Sequence, residues 1–418
     1  MGAIKKIGVV VDSIDVNDSS GSKANVALIL NLKEAGFEVK VFHYTQKEIH
    51  LPDIECVAIP EKKLNGLFVL SRIERLFTRW TGLNLNPFLE GFFGFSFTFF
   101  NDVASIKKAL LKESDFNPDL VLTLSKGASF RPHYALLGLS QFHLKWMAYV
   151  HDPYPFHYYP RPYNWIQPGY KQKELFFKAV SEKASYSAFP SLLLKEWMGS
   201  YFPNFLKTGL IIPHQNGHFE VKAFDVTSYF DATKFNLLHA GNLMKQRSPE
   251  GLIQGFQLFL KNNPPTKENA RLLLIGSASY YEEMLTAYQK NIQELFVCLN
   301  NKPFDEVQYL QNNATVNIIL ESKSEISPFL PGKFPHCVEA NKPILALGPY
   351  YSETKRLLGA VYPYWSEVDD IENIAMQIDK LYLFWQKDAK MVLNRNDLKT
   401  YVSIDYLKRV IDQLPNNQ

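Results

Sequence analysis

The sequence predicts an α/β protein built from two parallel-sheet domains. Three observations carry that reading. Short apolar runs alternate with stretches of helical period along nearly the whole chain. The alternation occurs in two sets, separated by a segment rich in Pro and Gly. And 418 residues are too many for a single core of ordinary size.

The first set opens with KIGVVVDS as a strand, SSGSKANVALILNLKEAG as loop and helix, and EVKVFHY as the next strand. Gly36 stands where a helix C-terminus favours a residue tolerant of positive φ. A helix from about Asn101 leads into a strand at Leu120–Leu124, LKWMAYVHD supplies another strand, and KELFFKAVSEKASYSAFPS a helix and a short strand. The second set starts near Phe235, with FNLLHAGN as strand, SPEGLIQGFQLFLKNN as helix and ARLLLIGS as strand. It continues through YEEMLTAYQKNI, LFVCLNN, FDEVQYLQNN and TVNIILES to a short apolar strand at Ile344–Leu347, bounded by Pro343 and Gly348. PNFLKTGLIIPHQNGHFEVKAFDVTSY lies between the sets and is the expected hinge. Near the end, DYLKRVIDQL reads as an amphipathic helix. Residues 67–100 fit neither set. They are rich in Phe and carry Arg72, Arg75 and Arg79 at helical spacing. They read either as a helical insertion packing its Phe side chains into the first core, or as a surface for lipid or a lipid-linked substrate.

Composition narrows the function. Lys and Arg number 45 against 42 Asp and Glu, so a net charge of +3 argues against a dedicated nucleic-acid binder. The three cysteines are far apart and form no CxxC pair, which argues against a disulfide framework or structural zinc. The N-terminal apolar run stops at Asp12 and reads as a strand, not an export signal. Gly2 lacks the Ser or Thr at position six that N-myristoylation prefers, and no run reaches 18 apolar residues. The cytoplasm is the expected compartment.

Open α/β sheets bind ligands beyond the carboxyl ends of their strands. Those ends supply the lone Gly21 in a loop after the first strand, His151 and Asp152, residues 241–247, Gly276, residues 321–325, and Lys333 at a helix start. A cation and helix amides at such a place make an anion site. The dinucleotide GxGxxG, the P-loop, HExxH and GxSxG are all missing. This takes weight from oxidoreductase, NTPase, zinc-protease and serine-hydrolase readings.

Residues from about 235 to 353 resemble the donor-binding domain of glycosyltransferase family 4, retaining enzymes of the GT-B fold. The family's G-x-L-x-x-x-[KR] is matched by HAGNLMKQRSPEGL, giving Gly241, Leu243 and Arg247. Its LxxxG strand end is matched by RLLLIGSAS at Gly276, and its closing helix by PGKFPHCVEANKPILAL, with Gly332 and Lys333. The first half fits the acceptor domain through Gly21 and His151.

The resemblance implies two Rossmann-like parallel-sheet domains facing across a cleft. Residues 1–214 would take the acceptor and 215–385 the nucleotide-sugar donor, while 386–418 would end in a helix crossing back to the first domain. It implies transfer of a hexose with retention from a donor such as UDP- or GDP-hexose, with no cofactor and no metal. The acceptor would be a glycan or a lipid-linked glycan, in cell-surface polysaccharide assembly, with peripheral contact at the inner face of the membrane. Arg247 and Lys333 would meet the diphosphate, and His151 and Asp152 the transferring sugar and the acceptor hydroxyl. Gly21, Gly241, Asn242, Lys245, Gly276, Glu325, Gly332, His336 and Glu339 would line the donor.

Two departures stand out. The family's Glu-x7-Glu positions hold Pro328 and His336, with Glu325 near the first and Glu339 one turn beyond the second. Asn242 stands where the family often has Arg, leaving Lys245 as the substitute cation. A degenerate GT-B protein that binds a glycan, nucleotide or partner without catalysis is the alternative. A nucleotide-sugar epimerase is the less favoured enzyme, since few carboxylates sit at the strand ends.

Overall fold

The computed structural model describes residues 3–127, 129–217, 224, 226, 228–300 and 302–414. Gly2 and the hinge positions 218–223, 225 and 227 lie outside the described residues. The chain divides into two compact units, one of residues 1–159, 164–217 and 402–418, the other of 160–163 and 218–401.

The first unit is a parallel sheet of β1 (Lys6–Val11), β2 (Glu38–His43), β3 (Glu55–Ala58), β4 (Leu120–Leu124), β5 (Trp146–Tyr149), β6 (Tyr186–Phe189) and β7 (Gly209–Ile211). Its order is β3-β2-β1-β4-β5-β6-β7. The β1 run is apolar throughout because both faces are covered. Val9 and Val11 pack with Ile29 and Leu32 of helix α1 (Ser20–Glu34), and Val10 enters the opposite core. Ser19 caps α1, its Oγ accepting from the Ser22 amide at 3.1 Å, and Gly36 beyond the far end has φ +94°. Leu407 and Ile411 of the helix Ile404–Asp412 join the α1 side of the core, which places that segment in the first unit.

Residues 66–112 form α2 (Gly66–Thr81), α3 (Asn86–Phe93) and α4 (Phe97–Lys112). α4 begins four residues before Asn101 because Ser96 caps it, its Oγ accepting from the Phe99 amide at 3.2 Å. Phe95 and Phe99 stack in the core at 4.1 Å between ring centroids. The core-packing expectation holds for these two rings and fails for the helices before them. α3 buries no residue and α2 buries only Ser71 and Glu74.

The second unit holds β8 (Phe235–Ala240), β9 (Ala270–Ile275), β10 (Leu295–Cys298), β11 (Val316–Leu320), β13 (Ile344–Leu347) and β15 (Trp365–Ser366), parallel in the order β10-β9-β8-β11-β13-β15. β12 (Ile326–Ser327) and β14 (Tyr351–Ser352) pair separately. Each large sheet reverses its strand order beside its first strand, between β1 and β4 in one unit and β8 and β11 in the other. Ligand crevices of such sheets form there, beyond the carboxyl ends. Among the described residues no helix is long and apolar enough to cross a membrane.

Candidate active site

In the second unit, β8 and β9 are followed directly by Gly241 (φ +149°) and Gly276 (φ +138°). A Cβ on Gly276 would lie 2.5 Å from the Gly241 carbonyl oxygen, so the two strand-end loops pack backbone to backbone. The Gly241 amide donates to Ile275 O at 2.8 Å, and the Leu243 amide to Ser277 O at 2.8 Å. Buried Leu243 anchors the loop, and a turn from Met244 brings the chain back at Arg247. Arg247 donates from Nη1 to the Asn242 carbonyl at 3.3 Å, while its buried Nε has no hydrogen-bond acceptor among the described residues.

Lys333 reaches the same place from the loop before the helix Phe334–Glu339. Its Nζ lies 3.1 Å from His239 Nδ1, and a Cβ on Gly241 would come within 3.1 Å of it. The residue keeps some accessible surface, but its ammonium is desolvated. Burial, and then the nearby Arg247 charge, lower its pKa from 10.5 to about 7. His239, fully buried, is held neutral by burial and by the Lys333 and Arg247 charges. No ion pair among the described residues neutralises Lys333 or Arg247.

Glu321 follows β11 on the other side of the strand reversal and is 4% exposed. Burial raises its pKa although the Ser327, Thr354 and Ser352 hydroxyls and Arg247 all favour the carboxylate. Those hydroxyls surround it, yet Oε2 itself has no partner of hydrogen-bond geometry. Gly348 makes the space, since a Cβ there would sit 3.2 Å from Glu321 Oε1.

Lys333, Arg247, Gly241, Asn242 and Gly276 are thus brought together. The remaining expected donor residues are placed less centrally. Lys245 is exposed, and its carbonyl accepts from Tyr281 Oη at 2.5 Å. Glu325, Gly332 and Glu339 are exposed. His336 is half-buried, its ring edge-on to Phe304 at 5.1 Å. The helix amides expected to assist Lys333 belong to a helix of six residues with Pro at its start, and the helix after Gly241 begins only at Glu250. Side-chain cations therefore dominate the positive field. His239 and Glu321 complete the cluster; the sequence reading missed the first and named the second only within the strand-end stretch 321–325, without a role. A His directly before Ala-Gly at a strand end was the available signal for the first.

In the first unit, Asp12 directly follows β1 and Ser125 directly follows β4. Ser125 Oγ lies 3.0 Å from His151 Nδ1, and the His151 ring packs on Tyr149 at 4.3 Å and stacks toward His214 at 6.0 Å. Burial, then His214 and His133, hold His151 neutral. Burial pushes Asp152 up to about 6. Asp12 also rises to about 6 through burial, offset in part by Arg131 at 3.8 Å. Arg131 Nε meets Asp102 at 2.8 Å. Gly21, expected in a loop, lies in the first turn of α1, because Ser19 caps the helix there.

No protein-family model matches the sequence, and no curated protein does either. Solved structures match over the whole chain. The N-terminal domain of Candida albicans trehalose-6-phosphate phosphatase superposes with a TM-score of 0.64 at 12% identity, covering 100% of this chain and 98% of that one. A UDP-forming α,α-trehalose-phosphate synthase from Burkholderia xenovorans, solved with glucose-6-phosphate, gives 0.62 at 10% identity, covering 99% and 98%. HepE of Anabaena, solved with UDP and glucose, gives 0.59 at 12% identity, covering 99% and 100%. Together with the two sheet orders, these matches show that the chain has the GT-B fold.

Proposed function

We propose that this chain is a glycosyltransferase of the family-4 type, moving a hexose from a nucleotide sugar to a glycan or lipid-linked acceptor with retention and without a metal. Cell-surface polysaccharide assembly at the inner face of the membrane is the setting that fits such an acceptor. The carrying observation is the convergence of Lys333 and Arg247, neither of them in an ion pair among the described residues, beside the strand reversal of the second sheet. As the glycosidic bond stretches, charge grows on the diphosphate oxygens. Fixed cations aimed there stabilise the transition state more than the ground state. His239 supports Lys333 without adding charge. In this reading the first unit takes the acceptor, and neutral His151, with Asp152 beside it, offers hydrogen bonds to sugar hydroxyls.

A thermal-shift screen against UDP, GDP, ADP, CMP and their sugar conjugates, with no added metal, tests the reading. Selective stabilisation by one nucleoside diphosphate, lost in Arg247→Ala, is expected. No stabilisation by any of them would overturn it. The second reading, binding without catalysis, draws on Pro328 and His336 at the two Glu positions. Nucleotide binding without sugar turnover would favour that reading.

A further inference from the structure

Residues 64–93 gather eleven of the 27 large apolar side chains that stand exposed among the described residues. They include Ile73 (56% exposed), Trp80 (83%), Phe88 (65%) and Phe92 (67%). α2 is folded inside out relative to an ordinary surface helix. Its inner face toward α4 carries Ser71, Glu74 and Thr78, whereas Val69, Leu70, Ile73, Leu76, Phe77 and Trp80 point to solvent. At about 100° per residue, those six fall within an arc of about 120°. A left-handed Gly82 ends the helix, and α3 then adds Phe88, Phe92 and Phe93 while burying nothing. Contiguous exposed apolar area of this kind marks a contact surface.

The charge beside it is mainly positive. Arg72, Arg75 and Arg79 flank the apolar stripe and are exposed, and Arg72 alone of the three has an acidic partner among the described residues, Glu61 at 3.3 Å. The two acidic residues of the segment are withdrawn, Glu74 by burial and Glu90 by its 2.9 Å pair with Lys173. Like charges on two copies would oppose pairing through this face, whereas a bilayer of anionic lipids offers both the apolar depth and the opposite charge. Trp80 at the end of the stripe suits the boundary between headgroups and acyl chains.

We infer that the outer face of α2 and α3 docks on an anionic lipid bilayer, with the apolar stripe in the acyl boundary and the three arginines at the headgroups. The inference rests on these side chains and not on the donor-site reading.

The test is co-sedimentation of the full chain with phosphatidylcholine vesicles and with vesicles that also contain phosphatidylglycerol. The protein is expected to pellet with the anionic vesicles, to be released by salt, and to show a blue-shifted tryptophan emission that Trp80→Phe removes. Arg72→Gln, Arg75→Gln and Arg79→Gln together should lower partitioning about a hundredfold. Ile73→Asp with Trp80→Asp should abolish it. Both variants should keep the melting temperature and the nucleotide-induced shift of the parent chain, so loss of docking is distinguishable from loss of the donor site. Wild-type protein left in the supernatant, equal binding to both vesicle types, or a triple variant that binds like the parent would overturn the inference. So would a dimer in light scattering that Ile73→Asp with Trp80→Asp dissociates, since the face would then serve a second copy.

Discussion

Replacing Lys333 by Met should stabilise the ligand-free protein while removing its response to a nucleoside diphosphate. The ammonium lies in a desolvated place beside Arg247, and its pKa falls from 10.5 to about 7. At about 1.4 kcal/mol per unit, and allowing for the part of the residue that stays exposed, the charged form costs the fold on the order of 3 kcal/mol. Losing the contact to His239 returns about 1 kcal/mol, leaving a net gain of about 2 kcal/mol for Lys333→Met at pH 6. The unfolded lysine keeps its proton up to its ordinary value, whereas the folded one releases it near 7. Between those values the unfolded state binds more protons, so wild-type stability should rise with pH from about 7 upward, and below 7 the full cost remains. The Met variant should lack that rise. A diphosphate bound at Lys333 restores the charged form. At pH 8 the free site is about one-tenth protonated, so binding should take up about 0.9 proton. Titration calorimetry at pH 8 in two buffers of different ionisation enthalpy reads that uptake, and urea unfolding at pH 6 and 9 reads the stability. Wild-type uptake near zero, or a Met variant no more stable than wild type at pH 6, would refute the assignment of Lys333 as a diphosphate cation. Turnover of the variant should fall about 10²-fold or more, as when one oxyanion donor is removed.

Gly241→Ala places a Cβ 3.1 Å from Lys333 Nζ on a backbone with φ +149°. It should cost about 1–3 kcal/mol in urea unfolding and weaken nucleotide binding measured by calorimetry. Glu321→Gln should flatten one limb of the pH–stability curve. The folded carboxyl's pKa lies above its ordinary 4.5, so the unfolded state ionises first and wild-type stability falls as pH rises through that window. Thermal melts at pH 4 and 7 should show the variant gaining relative to wild type at pH 7. His151→Ala should lower kcat with the nucleotide-induced thermal shift unchanged, because His151 belongs to the first unit and the cations to the second. Chelation by EDTA should leave turnover of the wild-type enzyme unchanged in a coupled assay for the released nucleoside diphosphate.

The sheets were legible because strands buried on both faces are nearly unbroken apolar runs, as in residues 6–11, 120–124 and 344–347. β12, β14 and β15 are two residues each and carry no period to read. Strand ends likewise exposed Gly241, Arg247, Gly276 and Lys333. His239 stayed hidden because it sits inside an apolar strand, where a buried histidine reads as core. Glu321 lay in the strand-end stretch 321–325 but received no role, for a different reason. Counting from Pro343 led to Pro328 and His336, whereas the buried carboxylate comes from the end of β11 itself. α2 stayed open between two readings because periodicity identifies an apolar face but not which way it turns.

What no sequence count reveals is how the charge is divided. A net charge of +3 looks neutral for a chain of this size. At the strand reversal of the first sheet, two buried carboxyls, Asp12 and Asp102, share one cation, Arg131, and the pKa of each is raised. At the reversal of the second, two cations, Lys333 and Arg247, stand near one buried carboxyl, Glu321, whose pKa burial raises. An electron-rich crevice lined with acceptors suits a neutral, hydroxyl-bearing ligand, and one in which cations outnumber carboxyls suits a diphosphate. The proposed transfer needs those two binding chemistries, one for each substrate, and the fold keeps them on separate sheets, where each set of pKa values is tuned by its own neighbours.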